Sequence, residues 1–241
     1  MNRAVLNAWR PLSPDGSVRW LKYSWGPVTA NTLAARLEDG TWLVVSPASS
    51  PTPAVLDELA KDGDVSVLVA PNAYHHLGQP AWRARFPGAL SYAPEGALGR
   101  LARKSPGVPY RPIGELVPRL PSYVEMFLPD GQKTPDMLVR ASPQGNTVWW
   151  MGDQFSNLGA GDQIWLLRVL APLHDFISGS GLGYRRNGKP EMVYVSDRAA
   201  WLRSIREEVE KNPPVAVVPA HGDAVVEETA RRTSELLRIP A

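Results

Sequence analysis

Residues 71–78 read PNAYHHLG, directly after the apolar run VSVLVA at 65–70, and hold two of the chain's four histidines side by side. A run of that length, rich in β-branched residues, predicts a buried strand rather than a helix. The adjacent imidazoles of His75 and His76 therefore stand where a strand has just ended. Two other apolar runs end in the same way: TVWWM at 147–151 leads to Asp153, and VAVVPA at 215–220 leads to His221. In layered α/β folds, loops beyond the carboxyl ends of strands converge on one rigid edge, and sites form there. Three strands could so deliver four groups able to bind a metal. Each motif alone has a plainer reading: a histidine pair bonded within a loop, and Gly-Asp or His-Gly-Asp as turn chemistry. Their coincidence favours a site. The fourth histidine, His174 in APLHDF, stands apart and reads as an ordinary histidine.

Working outward, WLKYSWGPVTANTLAARLED and GTWLVVSP (20–47) predict two or three strands turning at Asp39-Gly40. TPAVLDELAKDGD predicts a helix burying Val55, Leu56 and Leu59 and ended by Gly63. QPAWRARFPG and EGALGRLARK predict two more helices, with the strand ALSYAP between them. SYVEMFLPDGQ, DMLVRASPQGN and TVWWMGD predict successive strands separated by Asp130-Gly131 and Gly145-Asn146 turns. Asp197 is placed to cap a helix over RAAWLRSIREEVEKN, with Trp201, Ile205 and Val209 on one face. A last helix carries Val226, Ala230, Thr233 and Leu237.

With 241 residues, 44% of them hydrophobic, the chain can bury a full core, and one domain over 1–241 is expected. A net charge of +2 is too small to argue for nucleic acid or an anionic membrane surface. No apolar run approaches the ~20 residues that span a bilayer, and the N-terminus lacks the apolar stretch of a signal peptide, so a cytoplasmic protein is expected. Cysteine is absent, so disulfides and thiolate ligands are excluded and a metal site has to use nitrogen and oxygen. The nine tryptophans, Trp149-Trp150 among them, read first as large core residues.

The order of elements and the three edge motifs resemble the metallo-β-lactamase superfamily. That resemblance implies an α/β fold, a four-layered αββα sandwich, with one or two metal ions beneath loops at one sheet edge. The superfamily's first motif is H-x-H-x-D-H. In that register PNAYHHLG puts His76 on the last histidine, His75 on the aspartate, and Pro71 and Ala73 where the first two histidines belong. GQKTPDM resembles the phrase around the third histidine, with Lys133 in its place; Asp153 matches the bridging aspartate and His221 the last histidine. An N-x-x-H-H first motif, a later G-D and a terminal H-G resemble a degenerate offshoot of the superfamily.

The resemblance implies that the first metal position has lost all three ligands, while the second keeps His75, His76, Asp153 and His221. It thus implies one divalent ion, zinc first, with iron or manganese also compatible with an N/O set. The expected activity is metal-dependent hydrolysis by a hydroxide on the ion, on an ester, lactone, amide or phosphoester. Lys133 and Tyr74 would steady the oxyanion. Arg185, Arg186 and Lys189, in SGSGLGYRRNGKP at 178–190, would suit a small anionic substrate, although a solvated loop is the plainer reading. The alternative is a non-catalytic protein of the same fold that binds a small molecule or protein partner.

Overall fold

A computed structural model of the chain describes residues 6–26, 28–158, 176–179, 182–185 and 195–238. His174, Arg186 and Lys189 lie outside them.

The first sheet is built in chain order from β1 (Trp9–Pro11), β2 (Val18–Trp25), β3 (Val28–Arg36), β4 (Trp42–Val45), β5 (Val65–Val69), β6 (Leu90–Ala93) and β7 (Tyr110–Pro112). Strands β1 to β4 pair antiparallel and β4 to β7 parallel. Parallel neighbours need crossovers. Helices α1 (Pro53–Ala60), α2 (Gln79–Arg85) and α3 (Glu95–Lys104) provide them. Thr52 caps α1 by accepting from the Val55 N–H, and Val55, Leu56 and Leu59 are buried as their spacing requires.

The second sheet has the order β14 (Ala216–Val218), β10 (Val148–Trp150), β9 (Leu138–Ala141), β8 (Val124–Phe127), with β14 parallel to β10. A further four-stranded sheet joins β12 (Phe176–Gly179), β13 (Leu182–Arg185), β11 (Phe155–Asn157) and β15 (His221–Gly222). Helices α4 (Arg198–Lys211) and α5 (Thr229–Arg238) are the remaining α-helices among the described residues. The side chain of Asp197 accepts from the Ala200 N–H and starts α4 as expected.

Alternation along the strands sorts the side chains into layers. Leu43, Val45, Val67 and Val69 of the first sheet face Val139, Val148, Trp150 and Val218 of the second in one core. Their neighbours point outward: Trp42, Val44 and Leu68 meet α1 and the Trp82 side chain of α2, while Trp149 and Val217 meet Trp201, Ile205 and Val209 of α4 and Leu236 and Leu237 of α5. The result is helix, sheet, sheet, helix: the αββα sandwich. Trp149 and Trp150 are core residues, as their plainer reading has it. Burying one large apolar side chain contributes about 1.5–3 kcal/mol.

One sequence expectation is corrected. Val226 is exposed and precedes the last helix, which starts at Thr229 because Glu228 takes a positive φ of 49° that a helix cannot contain. Among the described residues, no helix is long and apolar enough to cross a membrane.

Candidate metal centre

The loops after β5, β10 and β14 are fixed before any side chain reaches the site. In the first loop, Asn72 is buried and its Oδ1 accepts from the N–H groups of Tyr74 and His75, at 2.8 and 3.0 Å. This is the local bond by which an asparagine shapes a turn. Its Nδ2 donates to Oδ1 of Asp136 at 2.8 Å, while Oδ2 of Asp136 accepts from the N–H groups of Asp153, at 2.8 Å, and Gln154, at 3.3 Å. One buried carboxylate thus ties the loop carrying His75 to the loop carrying Asp153. Gly152 makes room for it: its φ is +73°, and a Cβ there would lie 2.7 Å from Oδ2 of Asp136. The third loop is held by Asn31 of β3, whose N–H donates to Ala220 O and whose Nδ2 donates to Pro219 O and Gly222 O, at 2.9, 2.7 and 2.8 Å.

These supports bring three groups together. Asp153 Oδ1 lies 3.2 Å from Nε2 of His75 and 3.0 Å from Nε2 of His221, and the three atoms lie within 4.8 Å of one another. Nδ1 of His221 is 2.8 Å from the Thr29 carbonyl oxygen, which can only accept, so Nδ1 carries the proton. In the neutral ring, Nε2 then presents a lone pair. Nδ1 of His75 meets the Ser46 hydroxyl at 2.7 Å. The groups border a cavity of about 60 Å³ whose wall also includes Tyr23, Trp25, Tyr74 and Leu77.

Electrostatics bind the trio tightly. Burial works against the Asp153 carboxylate, but the charge of His75 and the hydrogen bonds that both histidines donate when their Nε2 atoms are protonated outweigh it and hold its pKa well below the usual carboxylate range. Burial likewise disfavours the His75 imidazolium, yet Asp153 prevails and lifts it above the ordinary histidine value. Asp136 is pushed up to about 7, first by burial and then by the charge of Asp153, against the hydrogen bond from Asn72.

Two imidazole nitrogens and a carboxylate oxygen form a donor set that fits zinc, iron or manganese. Ser46, His75 and Asp153 also follow the order of a nucleophilic triad. Ser46 is only 1% exposed and absent from the cavity wall, so no substrate carbonyl reaches its hydroxyl.

Of the residues singled out in the sequence, His75, Asp153 and His221 meet, and His76 stands outside the cluster. With the His75 N–H pinned by Asn72, the next side chain turns toward α3, where Nδ1 of His76 lies 2.7 Å from Ser105 Oγ. Burial there, then the charges of Arg100, His75 and Lys104, lowers its pKa. The expectation that four metal-binding groups converge is corrected: three of them, His75, Asp153 and His221, come together, and His76 does not. Tyr74 lines the cavity, with the Arg100 guanidinium 4.4 Å over its ring. Lys133 is exposed and does not line the cavity; nor do Pro71 and Ala73, the latter packed with Ala70, Ala93, Ala97 and Leu101. Sequence reasoning passed over Ser46 and Asp136, and met Asn72 only as the first residue of the N-x-x-H-H motif, with no role given to it. An aspartate directly before a buried strand, PDMLV, was the available signal for Asp136, because a carboxylate entering a core has to find donors.

The position of His76 has a direct test. His76→Ala is expected to leave zinc affinity, measured by competition with a chromogenic chelator, within about twofold of the parent, since loss of a true ligand costs far more. A loss of tenfold or more would place His76 on the ion.

Several solved structures share this architecture. A metallo-β-lactamase from Hirschia baltica matches with a TM-score of 0.60 over 98% of this chain and 100% of its own, at 12% identity. FIM-1 from Pseudomonas aeruginosa, a metallo-β-lactamase in a mono-zinc form, matches with a TM-score of 0.56 over 99% of each chain, at 17% identity. TMB-1 matches with a TM-score of 0.58 over 97% of this chain and 98% of its own, at 15% identity. No protein-family model and no curated protein sequence matches the chain. The chain has the metallo-β-lactamase fold.

Proposed function

We propose that this chain is a metal-dependent hydrolase with a single-ion site formed by His75 Nε2, Asp153 Oδ1 and His221 Nε2. Its substrates would be small esters, lactones, amides or phosphoesters. One observation carries the reading. The Asp153 oxygen faces the Nε2 atoms of two histidines whose Nδ1 atoms are already engaged, by the Ser46 hydroxyl and the Thr29 carbonyl. Three such atoms at one point need a shared cation or protons between them.

A bound divalent ion would supply Lewis acidity and a water of lowered pKa. The chain's residues do the rest. Thr29 holds His221 in the tautomer that leaves Nε2 free for the ion. Asp136 and Asn72 hold the other two ligands in place. Trp25 and Leu77 give the cavity an apolar wall that limits water around a bound substrate. The Tyr74 hydroxyl would donate a hydrogen bond to the developing oxyanion. Lys133, outside the cavity wall, has no part in this reading. Zinc is proposed first because three protein donors bordering a cavity match the pattern of a catalytic zinc site with room for a water.

The experiment is to load the protein with zinc, confirm about one ion per chain, and assay p-nitrophenyl acetate, a γ-lactone and bis(p-nitrophenyl) phosphate. Turnover of at least one, abolished by chelation and restored by zinc, is expected. A loaded protein inert toward all three would favour the non-catalytic alternative.

A further inference from the structure

Ser46 follows β4 directly and takes a φ of +53°, a left-handed conformation that costs a side-chain-bearing residue free energy and that glycine adopts freely. The surroundings enforce it. Its N–H donates to Val69 O at 2.9 Å, and its carbonyl accepts from the Thr32 hydroxyl at 2.8 Å. Glycine would satisfy both bonds without strain, so the backbone alone gives no reason for serine. The side chain does: Oγ lies 2.7 Å from His75 Nδ1 and also meets the hydroxyl of the buried Tyr23.

We propose that Ser46 is a positioning residue for the ion site: its Oγ accepts from the Nδ1–H of His75 and its own proton turns toward Tyr23, fixing the tautomer whose Nε2 lone pair points at the ion. The inference rests on the reading of His75 as a metal ligand. It explains why a strained serine occupies a position that suits glycine. A ligand histidine whose second nitrogen has no partner can flip or change tautomer, and loss of such a partner typically lowers metal affinity about 10–100-fold.

The test uses Ser46→Ala, which keeps the strain, and Ser46→Gly, which relieves it; neither has the hydroxyl. Zinc affinity is measured by chelator competition, and the melting temperature is taken on the metal-free proteins. Both variants are expected to lose about 10–100-fold in zinc affinity, to a similar extent, while Ser46→Gly melts at the higher temperature. If Ser46→Ala does not fold, Ser46→Gly alone decides through its affinity. A merely structural role would make affinity follow stability, with Ser46→Gly binding zinc clearly more tightly than Ser46→Ala. That pattern, or parent-like affinity in either variant, overturns the proposal. A parent that takes up no zinc overturns the hydrolase reading. The tautomer is then judged by nitrogen-15 NMR of the metal-free parent, where a His75 ring protonated on Nδ1 supports the assignment and one protonated only on Nε2 overturns it.

Discussion

Asp153→Ala is expected to abolish tight zinc binding, lowering affinity by about 10²–10³-fold or more. The figure follows from sharing a four-ligand zinc free energy of about 10–16 kcal/mol evenly among its ligands. Asp153 is the only anion in the trio, and its Oδ1 is the atom that both imidazoles face. Without it, two neutral rings remain and the trio itself no longer offsets the ion's charge. The same carboxylate raises the pKa of His75, so proton and ion compete for Nε2. Zinc affinity of the parent should therefore fall as pH is lowered, and the fall should begin at a higher pH than an ordinary histidine would give, because Asp153 lifts the His75 pKa. In Asp153→Ala that dependence should shift to lower pH. Isothermal titration at several pH values measures both effects; near-parental affinity in the variant would sink the proposed site.

The largest loss of stability is expected from Asp136→Ala, about 3–5 kcal/mol, because each buried donor left without an acceptor costs about 1–3 kcal/mol. The Asn72 amide and the N–H groups of Asp153 and Gln154 would all lose their acceptor inside the protein. Asp136→Asn should recover only part of the loss. Both carboxylate oxygens accept, and whichever way an amide is turned, its NH₂ group meets a donor. Urea unfolding of the metal-free proteins provides the measurement. A change below about 1 kcal/mol for the alanine variant would mean that the network holds nothing together.

Alternation and strand length disclosed the layers, because burial between two sheets leaves a period-2 record along every strand. The ends of those strands located His75, Asp153 and His221. Local spacing could not show which of two adjacent imidazoles points at the cleft. That depends on Asn72, whose amide accepts from the His75 N–H and so sets the turn. Nor could it reveal what Asp136 holds, although its place before a buried strand marks it as needing donors, because its partners lie 64 and 17 residues away. Ser46 was illegible for another reason: the strained backbone angle that marks it, held by Val69 and Thr32, leaves no trace in composition, and the ring its hydroxyl meets lies 29 residues away. Short strands such as β1, β7, β11 and β15 escaped notice because two or three residues carry no periodicity.

The stitching of His221 to β3 bears on when the site can exist during biosynthesis. Thr29 and Asn31 are made well before their partners, which follow 192 and 188–191 positions later. A nascent chain can pair β2 with β3, and even display His75, long before it has anything to set beside Thr29. Closing so long a loop is an entropic cost met only by the finished sandwich. Nascent or truncated chains ending before residue 221 should therefore leave the ribosome unable to hold the ion in this site, and metal capture would mark the completion of folding rather than guide it.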